Sequence, residues 1–239
     1  MLLLDLTLPT PAENLALDEA LLEEAEEGRS PGRILRLWES PDYAVVLGRS
    51  CRFRDESQWE RCQAAGVPVL RRASGGGAVL LGPGCLVYTV LIPYADRPEL
   101  QMIEQAHQYV LGRLVDALRP RLPELALQGT SDLTLGGRKF SGNSLRCKRD
   151  HLLYHGTLLY DFALDKVGEW LGAPARQPDY RRNRSHIDFI RNLPLDAATL
   201  RASLIAAWSA LERLPTWPES RTRQLVAERY SQDAWNQRL

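Results

Sequence analysis

Three consecutive glycines, Gly75 to Gly77, constrain the fold of this chain more than any other feature of its sequence. Glycine tolerates positive φ and leaves the main chain open to close approach. Two apolar runs flank the glycines, at residues 67–72 and 85–92, and both are typical of strands. The pattern predicts a strand, a tight glycine loop and a second strand in a hairpin-like arrangement.

The residues beside the glycines indicate what such a loop binds. A row of glycine N–H groups without side chains suits an anion such as a carboxylate or a phosphate, and Arg71 and Arg72 can add charge-assisted contacts. Side chains alternate between the two faces of a strand. We therefore expect one arginine to face the site and the other to pair elsewhere, with Arg71 as the preferred site residue. The alternative is a flexible turn that binds nothing.

The composition is that of a globular protein. A chain of 239 residues, 44% hydrophobic and 25% charged, can form one large domain or two small ones. Thirty basic and thirty acidic residues give no net charge, which argues against a broad nucleic-acid-binding face. No apolar run approaches the roughly 20 residues that span a bilayer. Residues 1–6 lack the basic start of a signal peptide, so we predict a strand there.

The four cysteines are scattered along the chain, at Cys51, Cys62, Cys85 and Cys147. They form no CxxC pair, so we do not expect a zinc site. They are also too dispersed for a disulfide scaffold, which makes the reducing cytoplasm the predicted location.

Hydrophobic periodicity predicts an α+β fold with a mixed, largely antiparallel sheet flanked by helices. The predicted helices are residues 13–27, 55–65, 99–119, 164–171, 196–213 and 220–239. The predicted strands are residues 33–39, 43–48, 67–72, 85–92, 131–135, 138–140 and 152–160. A second hairpin is predicted at the pair Gly136-Gly137. Lys139, one of only three lysines in the chain, lies beside this turn, two residues after Gly137.

Five segments together resemble the lipoate–protein ligase family, which shares a superfamily with the biotin ligases. They occur in the order of that family and at about its spacing, and the resemblance covers residues 10–195. It implies a sheet flanked by helices, like that of biotin ligases and class II synthetases. The matching segments are residues 14–20 (NLALDEA), 71–79, 131–133, 137–144 and 155–159.

The resemblance also implies an activity. The chain would join lipoate to ATP, forming lipoyl-AMP, and pass the lipoyl group to a lysine of a lipoyl domain. Glycine N–H groups, arginine and Mg²⁺ would screen the two anions that meet in the first step. Lys139 would be the catalytic residue at the adenylate, with Asp132 beside the nucleotide or its Mg²⁺. The other implied binding residues are Arg71, Arg72, Ser74, Gly75, Gly76, Gly77, Ala78, Val79, Ser141, Gly142, His155 and Gly156.

One segment departs from the ligases. Residues 82–84 read Gly-Pro-Gly, which is similar to the octanoyltransferase branch of the superfamily, whose members transfer an acyl group from acyl carrier protein through a cysteine thioester. The positions that carry this cysteine hold none here, so only Cys85 or Cys147 could replace it, and a buried apolar role is commoner for both. We therefore rank an ATP-dependent ligase, or a transferase that uses preformed lipoyl-AMP, above a thioester transferase.

Another class of function is a non-catalytic lipoate or biotin carrier, and the presence of Lys139 and Asp132 argues against it. Biotin ligation is less expected, because the arginine-rich glycine loop of biotin ligases is missing.

We expect residues 1–195 to form the catalytic domain and residues 196–239 to form a helical tail packed on it, without the accessory domain of some ligases. The tail or a separate accessory protein would then assist the activation step. The expected acceptor is a lipoyl domain, whose acidic surface would contact arginines of the irregular segment 173–192. The candidates are Arg176, Arg181, Arg182 and Arg184.

Overall fold

A computed structural model of the chain describes residues 1–172 and 177–239, so Arg176 lies outside the described residues. The strands are β1 (Leu2–Asp5), β2 (Ile34–Glu39), β3 (Ala44–Leu47), β4 (Val69–Arg71), β5 (Val79–Leu81), β6 (Cys85–Pro93), β7 (Leu125–Gln128), β8 (Asp132–Leu135), β9 (Arg138–Cys147), β10 (His151–Leu159) and β11 (Glu212–Arg213). The α-helices are α1 (Pro11–Glu26), α2 (Phe53–Glu56), α3 (Trp59–Ala65), α4 (Ile103–Leu118), α5 (Asp165–Trp170), α6 (His186–Phe189), α7 (Ala197–Trp208), α8 (Glu219–Leu225) and α9 (Asp233–Asn236).

An eight-stranded sheet forms the centre of the fold, in the order β11-β1-β2-β6-β10-β9-β8-β7. Strand β1 is parallel to both of its neighbours, and every other adjacent pair in this sheet is antiparallel. The predicted α+β fold with a mixed, largely antiparallel sheet is confirmed.

Helices cover both faces of this sheet. Helices α4 and α7 pack on one face, over the largest apolar core, which includes Leu35, Tyr88 and Phe140. Helix α1 packs on the other face, where Leu17 and Leu21 bury residues of β2, β6 and β10. We call the face under α1 the loop face, because the glycine loop also lies on it, and the opposite one the helix face.

The sequence of α1 explains where this helix begins. Thr10 is the N-cap, and its hydroxyl accepts a hydrogen bond from the Glu13 N–H (3.2 Å) while the Glu13 carboxylate accepts one from the Thr10 N–H (2.9 Å). This capping box satisfies two N–H groups that a helix leaves without partners. Pro11 follows at the first helical position, where its missing N–H costs nothing.

The glycine loop, residues 72–78, does not connect a hairpin, so that prediction is wrong. Strands β4 and β5 flank the loop but do not pair with each other, because β3 lies between them in a second, three-stranded sheet. All four residues of β3 are buried, and insertion of this apolar strand covers an edge of both neighbours. The strand that follows, β6, belongs to the large sheet.

The second predicted hairpin is confirmed. Gly136 and Gly137 both have positive φ, 59° and 71°, and connect β8 to β9. A two-residue turn with two positive φ values matches the twist of the strands it connects. Strand β9 runs on to Cys147, well beyond the predicted end at residue 140. A register shift opposite Leu133 and Thr134 places a β-bulge in β9 just after Lys139.

Four predicted helices are shorter or broken. The helix predicted at 55–65 divides into α2 and α3. The first turn of the helix predicted at 99–119 is a separate 3₁₀ turn, Pro98–Gln101. Ser209, with φ 48°, ends α7 before the short strand β11. The last predicted helix divides into α8, a π turn at Val226–Tyr230, and α9.

The last residues of the chain contact α1 and β4. The Tyr230 hydroxyl donates to a Glu19 carboxylate oxygen over 2.8 Å. The indole N–H of Trp235 donates to the Arg71 carbonyl over 2.8 Å. No helix among residues 1–172 and 177–239 is long and apolar enough to cross a membrane.

Candidate active site

A row of polar side chains crosses four strands of the large sheet on the loop face. The register pairs Arg36 of β2 with Thr89 of β6, Thr89 with His155 of β10, and His155 with Ser144 of β9. Paired residues share one face of a sheet, so the four side chains lie under α1 and the glycine loop. Buried polar groups need hydrogen-bond partners, and this row finds them in α1 and in the loop.

The glycine loop lies close against Gly48, at the end of β3. A Cβ on Gly48 would overlap the Gly76 carbonyl, so this contact requires glycine. Gly76 has φ 84°, which a residue with a side chain rarely adopts. Among the described residues, no acceptor takes a hydrogen bond from the N–H groups of Gly75, Gly76 or Gly77. The loop therefore offers three adjacent N–H donors, as an anion site needs.

A carboxylate already occupies the next donor of this loop. The Ala78 N–H donates to Glu56 Oε2 over 2.8 Å. The Cys51 thiol contacts the same oxygen at 3.3 Å and the Gly76 carbonyl at 3.2 Å. Burial, reinforced by Glu56, raises the pKa of Cys51 to about 11, so this thiol is a protonated donor. The contact shows that this end of the loop binds an anionic group.

Arg72 holds the loop from inside. Its guanidinium donates to the carbonyls of Gly75 (2.5 Å) and Gly77 (2.9 Å), and its Nε donates to Ser74 Oγ (3.0 Å). The side chain is buried, and burial lowers the pKa of Arg72 to about 10, which leaves it charged at neutral pH. Arg72 therefore adds positive charge directly beneath the glycine N–H groups.

Arg71 points away from the loop, so the preference for it as the arginine that faces the site is wrong. Its fully buried guanidinium donates to the carbonyls of Gly48 (2.9 Å), Cys51 (2.8 Å) and Arg238 (2.6 Å). These carbonyls use its donors and fix the end of the chain to β4. The two arginines do diverge, as alternation along a strand requires, but the site-facing one is Arg72.

Ser74 and His155 connect the loop to the polar row. Ser74 Oγ lies 2.6 Å from His155 Nε2. His155 Nδ1 lies 3.5 Å from Asp18 Oδ2, and Asp18 Oδ1 accepts from the Arg36 guanidinium over 2.5 Å. Burial alone would raise the pKa of Asp18, but Arg36 and the contact with His155 outweigh burial and hold this pKa below its usual value. A cavity of about 10 Å³ lies among Asp18, Ser74 and His155, enough for about one water.

Lys139 lies near the start of β9, beside the turn that connects this strand to β8. Its ammonium is 2.7 Å from Asp132 Oδ1, and the Tyr180 hydroxyl donates to Asp132 Oδ2 over 2.7 Å. Burial, then Asp132, raises the pKa of Tyr180, which keeps its hydroxyl a donor. The lysine side chain is 28% exposed, so an outside molecule can reach it. A Cβ on Gly142 would lie only 3.0 Å from Lys139 Nζ, so glycine there leaves the ammonium its space.

Strand β9 joins the lysine end of the site to the glycine loop. The Ser144 hydroxyl donates to the Gly75 carbonyl over 2.8 Å. Gly142, beside the Lys139 ammonium, precedes Ser144 by two residues on the same face, a separation of about 7 Å along a strand. The loop and the ammonium therefore lie on one face of the sheet, on either side of residues 142–144.

Two predicted binding residues turn away from this face. The Ser141 side chain is buried on the helix face, where its hydroxyl accepts from the Asn143 amide (3.0 Å). A Cβ on Gly156 would overlap Asn143 Oδ1, so packing against Asn143 explains this glycine. For Ser141 the reason is the bulge after Lys139, which shifts the alternation of β9 by one residue. Gly156 lies on the helix face because it follows His155 in the regular alternation of β10. The expectation that Ser141 lines the site is wrong for its side chain, and the role expected of Gly156 stays a prediction.

The cysteines proposed for a thioester route do not lie at the site. Cys85 is fully buried, and burial raises its pKa far above the usual value for a thiol. A reactive cysteine needs a lowered pKa and access to substrate. Cys147 is the last residue of β9 and is exposed. It lies three residues after Ser144, so the alternation of the strand places its side chain on the helix face, away from the site.

The candidate metal ligand is already paired. Each carboxylate oxygen of Asp132 has a partner, Lys139 or Tyr180. Within the described ranges, no three His, Cys, Asp or Glu side chains cluster as metal ligands would. A metal held by Asp132 would have to displace the Lys139 ammonium, so Mg²⁺ binding at this residue stays a prediction that this geometry does not favour.

Four residues that contribute to the site were not predicted from the sequence. Arg36 lies in an alternating strand pattern that is typical of a solvent-facing position, yet it is fully buried. Glu56 lies outside every matching segment. Asp18 and Ser144 lie inside two of these segments, at residues 14–20 and 137–144, and that was the signal available for them.

The sequence of the chain is similar to those of known lipoate-protein ligases. Residues 10–198 match the model of the lipoyl protein ligase A/B catalytic domain. A probable lipoate-protein ligase A of Mycoplasma pneumoniae is 30% identical over 161 residues, which is 67% of this chain and 46% of that protein. The chain spans about half the length of the curated relatives it matches first.

Solved structures share the fold over nearly the whole chain. A lipoate-protein ligase A bound with ATP has a TM-score of 0.83 at 23% identity, covering 99% of this chain and 98% of its own. A putative lipoate protein ligase from Thermoplasma acidophilum with bound lipoic acid has a TM-score of 0.81 at 22% identity, covering 100% and 98%. The bi-partite lipoate protein ligase of Thermoplasma acidophilum, described with its E2 lipoyl domain, has a TM-score of 0.82 at 23% identity, covering 99% and 95%. The family match spans well over half of the chain, and this chain belongs to the lipoyl protein ligase A/B catalytic-domain family.

Proposed function

We propose that the chain is a lipoate–protein ligase. In the first step a lipoate carboxylate oxygen attacks the α-phosphorus of ATP, and the bond to the β-phosphate oxygen breaks, which gives lipoyl-AMP and pyrophosphate. In the second step the ε-amine of an acceptor lysine attacks the lipoyl carbonyl. The bond to AMP breaks, the amine loses a proton, and an amide forms on a lipoyl domain.

One observation carries this proposal: the glycine loop and the Lys139 ammonium lie on one face, on either side of the segment from Gly142 to Ser144. Formation of the mixed anhydride brings a carboxylate against a phosphate, so it needs donors on both groups at once, and attack of the amine later places negative charge on the carbonyl oxygen beside that phosphate. The family match supports the same reaction, and a structure of similar fold holds ATP and another holds lipoic acid.

The residues divide the work as follows. The N–H groups of Gly75 to Gly77, with Arg72 beneath them, stabilise negative charge on the phosphate side. Lys139 contacts the carbonyl and the bridging oxygen of the adenylate and stabilises the charge that develops when the amine attacks. Asp132 holds the ammonium in place, and the Tyr180 hydroxyl holds Asp132. Val79, Ala78 and His155 complete the proposed walls around the acyl group.

We include Mg²⁺ in the proposal as part of the MgATP substrate. Magnesium keeps several waters and binds mainly to phosphate oxygens where a protein offers few carboxylates. This description fits a site whose candidate ligand, Asp132, already pairs with Lys139 and Tyr180.

The alternative routes make different demands on the chain. A thioester transferase needs a reactive cysteine, and buried Cys85 does not offer one. A transferase that uses only preformed lipoyl-AMP would need the same loop and the same lysine, but would not catalyse activation. A ligase that depends on an accessory protein differs from a transfer-only enzyme in one respect. Addition of the accessory protein would restore the activation step in the ligase and would have no effect on the transfer-only enzyme.

We propose that the acceptor lipoyl domain docks beside the β8–β9 hairpin. Of the predicted contact residues, Arg181 is buried over the Phe189 ring, and Arg184 donates to the Tyr180 carbonyl (2.9 Å), so neither is well placed for a partner. Arg182 is exposed. Ile187, on α6, is 51% exposed. An Arg182→Glu variant should raise KM for an acidic lipoyl domain with little change in ATP–pyrophosphate exchange, and an unchanged KM would exclude this docking surface.

The function is tested by two assays on the wild-type chain. Lipoate should drive exchange of radiolabelled pyrophosphate into ATP, while biotin should not. A recombinant lipoyl domain should gain one lipoyl group in the presence of lipoate and MgATP. Transfer from synthetic lipoyl-AMP without exchange would favour the transfer-only alternative. Transfer from octanoyl-acyl carrier protein without ATP, with loss in a Cys85→Ser or Cys147→Ser variant, would overturn the proposal.

A further inference from the structure

Helix α1 carries polar residues that the proposed mechanism does not use. Asn14 and Asp18 are 0% and 3% exposed, although Asp and Asn are rarely buried without a specific partner. They belong to the first segment that resembles the ligase family, residues 14–20, to which no role has yet been given. Burial of a charge is costly, so these side chains need a reason to be there.

The partners of Asp18 all belong to the polar row beneath the glycine loop. Oδ1 accepts from Arg36 (2.5 Å), while Oδ2 accepts from the Thr89 hydroxyl (2.8 Å) and faces His155 Nδ1 (3.5 Å). The Arg36 guanidinium also donates to the Asn14 side chain over 2.7 Å. Arg36 and Thr89 thus fix the two carboxylate oxygens, and Oδ2 keeps a second lone pair for His155.

This arrangement selects one tautomer of His155. A carboxylate can only accept, so it favours the ring with the proton on Nδ1 and leaves Nε2 as an acceptor. The Ser74 hydroxyl, 2.6 Å from Nε2, then donates to the ring. Ser74 Oγ in turn accepts from Arg72 Nε over 3.0 Å. The donors run in one direction, from Arg72 through Ser74 and His155 to Asp18.

The far end of this chain of hydrogen bonds is the glycine loop itself. Arg72 donates to the carbonyls of Gly75 and Gly77, on both sides of Gly76. The orientation of those carbonyls sets the orientation of the peptide planes, and with it the direction of the neighbouring N–H groups. A loop of glycines has no side chains of its own to hold it, so its order depends on side chains around it, and Arg72 makes two of these contacts.

We propose that Asp18 is a positioning residue of the ligase reaction, which holds the glycine loop in its anion-binding form through His155, Ser74 and Arg72. The inference rests on the proposed function, because it assigns to the loop the binding of the adenylate. It gives the segment 14–20 a role at the site, although Asp18 itself touches neither substrate nor reacting atoms. Mutation of Asp18 should therefore weaken binding through a change in the loop.

The experiment compares wild type, Asp18→Asn and Glu23→Gln with lipoyl-sulfamoyl-adenosine, a stable analogue of lipoyl-AMP, as the probe. Glu23 is a paired carboxylate on the same helix that contacts Arg221 (2.7 Å) and lies away from the loop, so its amide is the control for lost charge. Titration calorimetry measures Kd, ¹⁵N NMR of the histidine ring reports its tautomer, and hydrogen exchange follows the amides of residues 75–78.

We expect Asp18→Asn to raise Kd by roughly 10- to 100-fold, which is the worth of a hydrogen bond to a charged group. The proton of His155 should move to Nε2, as happens when an orienting carboxylate becomes an amide, and exchange of the loop amides should quicken. Glu23→Gln should leave Kd, tautomer and loop exchange unchanged.

Asp18→Asn leaves Arg36 buried without a counter-charge and can unfold the chain. The double variant Asp18→Asn/Arg36→Met removes both charges, restores stability and should still bind weakly with the altered tautomer. A folded Asp18 variant with wild-type Kd, or with weak binding but an unchanged tautomer, would overturn the inference. Failure of the wild type to bind the analogue, with the Nδ1-protonated ring still seen by NMR, would overturn the proposed function and leave the hydrogen-bond chain in place.

Discussion

Replacement of Lys139 by alanine separates the chemical role of this residue from its structural one. The lysine forms an ion pair of 2.7 Å with Asp132, and the two side chains are 28% and 13% exposed. Pairs this close to solvent contribute up to about 1 kcal/mol to stability. Asp132 keeps its hydrogen bond from Tyr180 (2.7 Å), so the substitution does not leave an unpaired carboxylate. We expect Lys139→Ala to lower the free energy of unfolding by about 0.5–1 kcal/mol.

The expected effect on catalysis is far larger. Removal of one donor that stabilises developing negative charge costs about 10²- to 10³-fold in kcat, or about 2.7–4 kcal/mol. The loss in the transfer step should therefore exceed the loss in stability by about 2–3 kcal/mol. A structural role alone would change both by similar amounts.

Single-turnover transfer of lipoate from synthetic lipoyl-AMP to a lipoyl domain, followed by intact-mass spectrometry, measures the catalytic effect, and urea denaturation measures stability. Lys166→Ala is the matched control, because Lys166 forms an ion pair of the same length with Glu169 and is 35% exposed. We expect that control to transfer at the wild-type rate. Transfer by Lys139→Ala within about threefold of wild type, less than 0.7 kcal/mol of barrier, would refute the assignment of Lys139.

Three further substitutions test other contacts. Gly48→Ala should displace the glycine loop and weaken adenylate binding, because its methyl group would overlap the Gly76 carbonyl. Gly112→Ala is the control: it lies in α4 with open space around it, so it should raise stability by about 0.5–1 kcal/mol. Thermal unfolding and titration with the lipoyl-AMP analogue measure both variants. Arg71→Lys should lower stability by about 2–4 kcal/mol in urea denaturation, since an ammonium cannot serve the spread of carbonyls that the guanidinium reaches. Burial lowers the pKa of His107 in the folded chain, so the unfolded chain binds a proton first as pH falls below about 6.5. The free energy of unfolding should then fall by up to about 1.4 kcal/mol per pH unit. Subtracting the pH dependence of a His107→Gln variant isolates this slope, and a slope of zero would contradict the prediction.

Some of this structure could be predicted from local sequence signals. The apolar spacing of residues 13–27 predicted α1, and Gly136-Gly137 predicted the turn between β8 and β9. The triple glycine correctly indicated a loop with open N–H groups, since three of its amides have no acceptor among the described residues. Such signals act over a few residues, so sequence alone suffices to read them.

Other features depend on partners far away in the sequence. The local sequence of β4 and β5 does not indicate that β3 lies between them, because all three are short apolar strands that could pair in several ways. The bulge after Lys139 has the same character: a regular strand would place Ser141 beside the lysine, while the extra residue places Gly142 there. Arg36 is a third case, since its burial follows from a carboxylate on α1, 18 residues earlier.

The proposed division at residue 195 remains a prediction, and the contacts support a single unit. Arg71 binds the Arg238 carbonyl (2.6 Å), and Glu19 accepts from the Tyr230 hydroxyl (2.8 Å). We therefore propose that residues 196–239 fold together with the rest of the chain. Two separate unfolding transitions by calorimetry would contradict this proposal.

A crystal structure of the chain with lipoyl-sulfamoyl-adenosine tests the central claim most directly. The account predicts that the sulfamoyl group, which replaces the phosphate, accepts hydrogen bonds within about 3.2 Å from at least one N–H of residues 75–77. Lys139 Nζ should contact the adjoining lipoyl carbonyl at the same time. An analogue bound with its sulfamoyl group away from the glycine loop, or with Lys139 still turned only to Asp132, would contradict the account.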